Sequence, residues 1–271
     1  MTATDHPALI AVGTFVAYMV LVGVIWQITG TRYDALVDSR AHILRGIVAP
    51  IGLGALLLAI VTTWLGWWNS ALFEGSRSGP AWALVVPALF AAVAVINIGT
   101  IDYRSPQAKL LPLVLVGCLV VGFAEELATR GLLVVGLREG GSGEWAVWLI
   151  TSVLFSLLHA MNALFGQSGR ATLAQLASTF FAGTALYVTL MTTGTLIVGM
   201  ILHALWDIGT LGILATGAKQ KTPAGVLALL TFVAALVSVF SGLPLRDRPT
   251  RDDTVSRVKL LPVCLVPHTR K

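Results

Sequence analysis

Residues 110–137 read LLPLVLVGCLVVGFAEELATRGLLVVGL, a run of 28 residues in which Glu125, Glu126 and Arg130 are the charged members. About 20 apolar residues carry a helix across the hydrocarbon core of a bilayer. The run is apolar all round, whereas a long helix of a soluble domain keeps a polar face towards water. It therefore predicts a transmembrane helix, and the three charges in it become the feature to explain.

The rest of the chain repeats the first half of that reading. Its 271 residues are 56% hydrophobic and 11% charged, with mean hydropathy +0.84. A soluble domain carries about a quarter charged residues, so too little polar surface remains to disperse this one in water. The expected fold is all-α, a polytopic transmembrane helix bundle of about eight spans at 7–28, 46–68, 81–100, 110–137, 145–165, 172–193, 195–216 and 223–243. Charged or Gly-rich breaks such as Glu74–Pro80 and Arg138–Glu144 separate most of them. The break Thr193-Gly194-Thr195 is shorter, and reads as a tight turn or an overcounted helix. The run from Pro7 to Ile28 has no basic segment before it and is too long for a signal peptide, so it reads as a retained first span. Residues 1–243 form a single transmembrane domain with a catalytic core at about 110–216, and residues 244–271 a basic, polar, exposed tail. No internal period is visible.

Loops after spans one, three, five and seven hold eight Lys and Arg, and the opposite loops hold two, Arg77 and Arg138. That asymmetry favours the first set as cytoplasmic. Eight spans then place the tail, with seven Lys and Arg, on the other side. The net charge of +5 is a membrane-surface signature and gives no argument for nucleic acid. Cys118 and Cys264 make neither a zinc spacing nor a disulfide framework.

Six ionisable residues lie well inside spans, and all fall in the fourth, fifth and seventh: Glu125, Glu126, Arg130, His159, His203 and Asp207. A charge at the centre of a membrane helix costs about 2.5–3.5 kcal/mol, so four unpaired ones would cost roughly 10 kcal/mol. Glu126 and Arg130 stand one turn apart and can pair, while Glu125 points about 100° away and is left to face a cavity. Phe155, His159 and Asn162 share one stripe, and His203 and Asp207 again stand one turn apart. At about 1.5 Å per residue, counted from the side where spans four and six end, Glu125 and Asp207 lie about 18 Å deep, His159 about 21 Å and His203 about 12 Å. The groups could converge near one level.

Such a set suits the activation of water. A buried carboxyl group can accept a proton from water, and histidines can stabilise the oxyanion that follows. Two histidines with a carboxylate are equally a catalytic zinc set with water in the open position, and spacing does not choose between these.

The motifs Glu125-Glu126-Leu127-Ala128-Thr129-Arg130, Phe155-Ser156-Leu157-Leu158-His159 and His203-Ala204-Leu205-Trp206-Asp207 resemble EExxxR, FxxxH and HxxxN/D of the CPBP (CAAX prenyl protease, or Abi) family of intramembrane proteases. Phe181-Ala182-Gly183 lies where that family has a further small-residue motif. The resemblance covers roughly residues 110 to 210. It implies an intramembrane endopeptidase in which Glu125 is the general base, His159 joins it at the water, and His203 and Asp207 bind the oxyanion. Glu126, Arg130, Phe155 and Asn162 would support them. The family is described both as metalloprotease and as metal-free, so one divalent metal such as zinc, held by Glu125, His159, His203 and Asp207, is the alternative. Eukaryotic prenyl-protein endopeptidases have Asn where this chain has Asp207. An Asp donates a hydrogen bond only when protonated and is a better metal ligand when ionised, which tilts the reading towards a metal while leaving both mechanisms open. The implied partners are the lipid bilayer and a membrane-associated or lipidated peptide or protein substrate. The implied location is integral, in a bacterial plasma membrane or an internal eukaryotic one.

Blander readings stand beside these. Taken singly, His159 is more often a helix-packing residue, since polar side chains also join membrane helices. Trp26, Trp64, Trp67 and Trp68 read as interfacial belt residues, Asn97 and Gln175 as interhelical hydrogen-bonders, and Gly52-Leu53-Gly54 as a close-packing spot. A non-catalytic, immunity-type membrane partner and an ion-coupled transporter are the functional alternatives. The transporter is weaker because matching repeats or broken helices are not seen.

Overall fold

A computed structural model describes residues 6–74 and 81–241; the basic tail from residue 244 lies outside the described residues. Among these, eight helices are long and apolar enough to cross a membrane: α1 (Pro7–Thr29), α2 (Arg40–Leu65), α3 (Ala81–Ile98), α4 (Pro106–Glu139), α5 (Glu144–Phe165), α6 (Gly169–Thr193), α7 (Leu196–Thr216) and α8 (Thr222–Phe240). The chain is an all-α integral membrane protein, as its composition requires.

The spans are where hydropathy puts them, but several ends move. Helix α2 begins six residues before 46, because Ser39 caps it by accepting a hydrogen bond from the His42 N–H at 3.2 Å. Helix α4 runs on to Glu139 and α5 starts at Glu144, so Arg138 and Glu144, read as loop residues, belong to helix ends. The link between α6 and α7 is a tight turn. Gly194 adopts φ 77°, which a side chain would disfavour, and the Thr195 hydroxyl caps α7 by accepting from the Ile197 N–H at 3.3 Å.

Lipid tails are as apolar as leucine, so membrane helices associate through close packing and polar contacts. Helix α7 is central and packs on α4 and α3, while α8 lies on α3 and α6, α5 on α6, and α1 on α2 and the end of α4. Gly122 lets α4 meet α7: a Cβ there would stand 2.6 Å from the Met200 carbonyl oxygen. One apolar cluster joins Phe90, Trp148, Tyr187, Leu202 and Val239. A second joins Phe15, Tyr18, Trp26, Leu58 and Leu127. Trp26 is therefore not a belt residue; it is buried and donates its indole N–H to the Gly46 carbonyl at 2.8 Å. Trp64, 72% exposed, does face outward. Asn97, read as an interhelical hydrogen-bonder, instead accepts at 3.3 Å from Gln220 in the connection between α7 and α8.

The end of the bundle where α4 stops and α5 starts is stitched together. Arg138 binds both carboxylate oxygens of Glu144, at 2.6 and 2.9 Å, and reaches Glu74 at 2.5 Å. Tyr187 donates to Glu144 at 2.6 Å. The Glu74 N–H donates to the Gly194 carbonyl at 3.0 Å, and Thr195 to the Leu72 carbonyl at 3.1 Å.

Candidate active site

Three elements supply the intramembrane charges. Helix α4 carries Glu125 and Glu126, then widens into a π turn over Leu127–Leu132 that contains Arg130. Such turns leave backbone groups imperfectly paired and often occur at functional sites. Here the Thr129 hydroxyl donates to the Glu125 carbonyl at 2.5 Å and accepts from Arg130 at 2.7 Å. Regular α5 ends at Leu158, and His159 opens a 3₁₀ stretch through Phe165. Helix α7 carries His203 and Asp207 one turn apart.

Glu126 sits at the centre. Its Oε1 accepts from Arg130 at 2.9 Å and lies 3.0 Å from His203 Nδ1. As a carboxylate it can only accept, so His203 donates from Nδ1 and turns Nε2 away from it. That Nε2 stands 3.5 Å from Asp207 and 3.8 Å from Glu125, ion-pair rather than hydrogen-bond distances. One imidazole is thus surrounded by three carboxylates, and the Arg130 guanidinium holds one of them.

Arg130 is completely buried, with its guanidinium 4.1 Å over the Phe155 ring. A cation on a desolvated aromatic face gains about 2 kcal/mol, which offsets part of its burial. Room for it is left by Gly183, where a Cβ would stand 2.9 Å from the guanidinium. The small residue of Phe181-Ala182-Gly183 thereby has a structural reason. Phe155 also lies edge-on to both imidazoles, with centroids 5.4 Å from His159 and 5.5 Å from His203. His159 Nδ1 is 3.1 Å from the Phe155 carbonyl. A carbonyl only accepts, so neutral His159 carries its proton on Nδ1 and keeps the Nε2 lone pair free.

Glu125, His159, His203 and Asp207 line one cavity of about 360 Å³. Glu125 is 5% exposed, and its Oε2 is buried with no hydrogen-bond partner. Asn162 lines the same cavity apart from the ionic group, donating to Gln175 at 3.0 Å; Gln175 donates in turn to the Tyr33 hydroxyl at 2.9 Å. The structure thus brings Glu125, Glu126, Arg130, His203 and Asp207 into one cluster. It sets His159 beside that cluster through Phe155, and Asn162 further along the cavity.

Among the described residues no group of three His, Cys, Asp or Glu side chains is arranged to hold a metal ion. Both imidazoles hold Nδ1 against a protein acceptor and keep Nε2 free, the nitrogen through which such a histidine can bind a metal.

Sequence reasoning missed Thr129, Tyr18 and Tyr33. Thr129 lies inside a motif but carries no charge to mark it. Tyr18 lies in the middle of the first span and Tyr33 in the short turn after it, and neither carries a charge to mark it.

Residues 106–209 match the family model described as "Type II CAAX prenyl endopeptidase Rce1-like". That stretch holds every ionisable residue of the cluster. Among curated proteins none matches the chain. Over residues 106–209 this integral membrane protein is therefore similar to the Rce1-like CAAX prenyl endopeptidases, consistent with a CPBP/CAAX protease family.

Proposed function

We propose that the chain hydrolyses a peptide bond of a membrane-associated or lipidated protein, with Glu125 as general base. The single observation that carries the reading is the buried Oε2 of Glu125, which accepts no hydrogen bond, stands 3.8 Å from His203 Nε2 and belongs to a residue lining the cavity. An acceptor left bare in a low-dielectric site is costly unless something comes to fill it. Water is the smallest donor that does so.

In this mechanism Glu125 takes a proton from water as the oxygen attacks the scissile carbonyl carbon. Neutral His159 accepts the second water proton in a hydrogen bond at Nε2 and fixes the attack direction. His203, held by Glu126 and flanked by Asp207, donates from Nε2 to the oxyanion when it is the imidazolium. The C–N bond then breaks, and the proton on Glu125 passes to the leaving amine. Water has been added and Glu125 is restored. Glu126 and Arg130 act by holding His203 and the α4 turn, and Phe155 by separating the two imidazoles.

The test compares new protein N-termini in membranes holding the wild-type chain or Glu125→Gln at equal accumulation. Products that vanish in the variant support the mechanism and supply the substrate. Identical N-termini in both overturn it and favour a non-catalytic membrane partner. Metal content of the purified protein, with activity after chelation, decides the metal question: stoichiometric zinc together with lost activity would replace this metal-free scheme.

A further inference from the structure

The cavity is closed on one side by α1, which lies outside residues 106–209 and contributes Tyr18. This phenol is 1% exposed and its hydroxyl has no hydrogen-bond partner. Its ring is held by a fitted contact: a Cβ at Gly54 of α2 would stand 2.6 Å from Tyr18 Cδ2. It lines the same cavity as Glu125, His159 and His203.

Two buried polar atoms that make no hydrogen bond therefore belong to residues lining one cavity, and they are complementary. Glu125 Oε2 accepts, and the Tyr18 hydroxyl donates. A phenylalanine would fill the same space without stranding a hydroxyl in an apolar setting. We infer that Tyr18 is a further catalytic residue, one that donates its O–H to the nucleophilic water while Glu125 accepts a proton from it. With one lone pair held by Tyr18 and one proton by Glu125, the water presents its remaining lone pair in a fixed direction. Misplacing a reacting atom by about 1 Å can cost on the order of a hundredfold in rate. The inference rests on the glutamate-base reading above.

The test extends the membrane comparison to Tyr18→Phe, with Tyr103→Phe, an exposed tyrosine on the connection after α3, as control. N-termini that depend on Glu125 should form roughly tenfold to a hundredfold more slowly in Tyr18→Phe, and at the wild-type rate in the control. On a peptide spanning the identified bond, the loss should fall on kcat with KM within about twofold of wild type. The unfolding midpoint in detergent should be unchanged. Gly54→Ala keeps the hydroxyl but displaces the ring, and should lower kcat as well. Wild-type rates in Tyr18→Phe overturn the inference even if Glu125→Gln is inactive. A slow rate matched by an equal loss of folded protein also overturns it, assigning Tyr18 to packing. If no N-terminus depends on Glu125, the base reading falls and the Tyr18 inference falls with it.

Discussion

Glu126 and Arg130 pay for their own burial only as a pair. Arg130 NH1 reaches Glu126 at 2.9 Å with neither side chain exposed, and the same carboxylate holds His203. Removing the cation leaves a buried charge uncompensated, which costs about 3–5 kcal/mol. Arg130→Met, close in volume, should therefore lower stability by about that amount in a mixed-detergent unfolding titration. Wild-type stability would show the pair to be dispensable. Glu125→Gln should leave the unfolding midpoint within about 1 kcal/mol, since its Oε2 makes no hydrogen bond, while abolishing cleavage. At this scale the sequence was informative because charge in hydrocarbon is expensive and therefore rare. Tyr18 and Thr129 went unread because a hydroxyl on a membrane helix costs little and satisfies itself easily.

Two helices decide whether the cluster exists. Glu126 and His203 meet because α4 and α7 approach at Gly122, which has no room for a side chain against the Met200 carbonyl. Gly122→Val should push the helices apart, lengthening the 3.0 Å contact between Glu126 and His203 and reducing cleavage at least roughly tenfold. An active, stable Gly122→Val protein would show that this approach does not control the site. The four-residue spacing of Glu126 and Arg130 and of His203 and Asp207 was readable, because helical period is local. The π turn at Leu127–Leu132 was not, because it depends on how α4 is gripped by its neighbours. The same holds for α4 and α5 continuing to Arg138 and Glu144, whose charges are accommodated by pairing with each other.

The bundle has two unlike ends. One is drawn together by Arg138, Glu144, Glu74 and Tyr187 and by the contact of Phe73 with Thr195. Towards the other end the cavity runs out between Tyr33, Leu36, Asn162, Gln175, Ser178 and Leu214. That second end carries the Lys- and Arg-rich connections after α1, α3, α5 and α7, the side that charge asymmetry favours as cytoplasmic. In a background with Cys264→Ser, Ser178→Cys should react with an impermeant thiol reagent only after cells are opened. Ser142→Cys, on the stitched end, should react in intact cells. Buried Cys118 stays silent. The reverse pattern would invert the orientation and open the cavity to the outside.

Sequence alone determined that this is an eight-span membrane protein and that its intramembrane charges lie in α4, α5 and α7. Both follow from transfer free energies, which depend on residue type and run length and not on neighbours. Only the tertiary structure decided that Glu126 bridges Arg130 to His203, that Glu125 Oε2 is left without a hydrogen bond, that Trp26 turns inward, and that α1 brings Tyr18 to the cavity. Those contacts join residues from 20 to 77 positions apart in the cases of Trp26 with Gly46 and Glu126 with His203. Hydropathy and helical period carry no information over such separations, whereas the packing of small residues against neighbouring helices does.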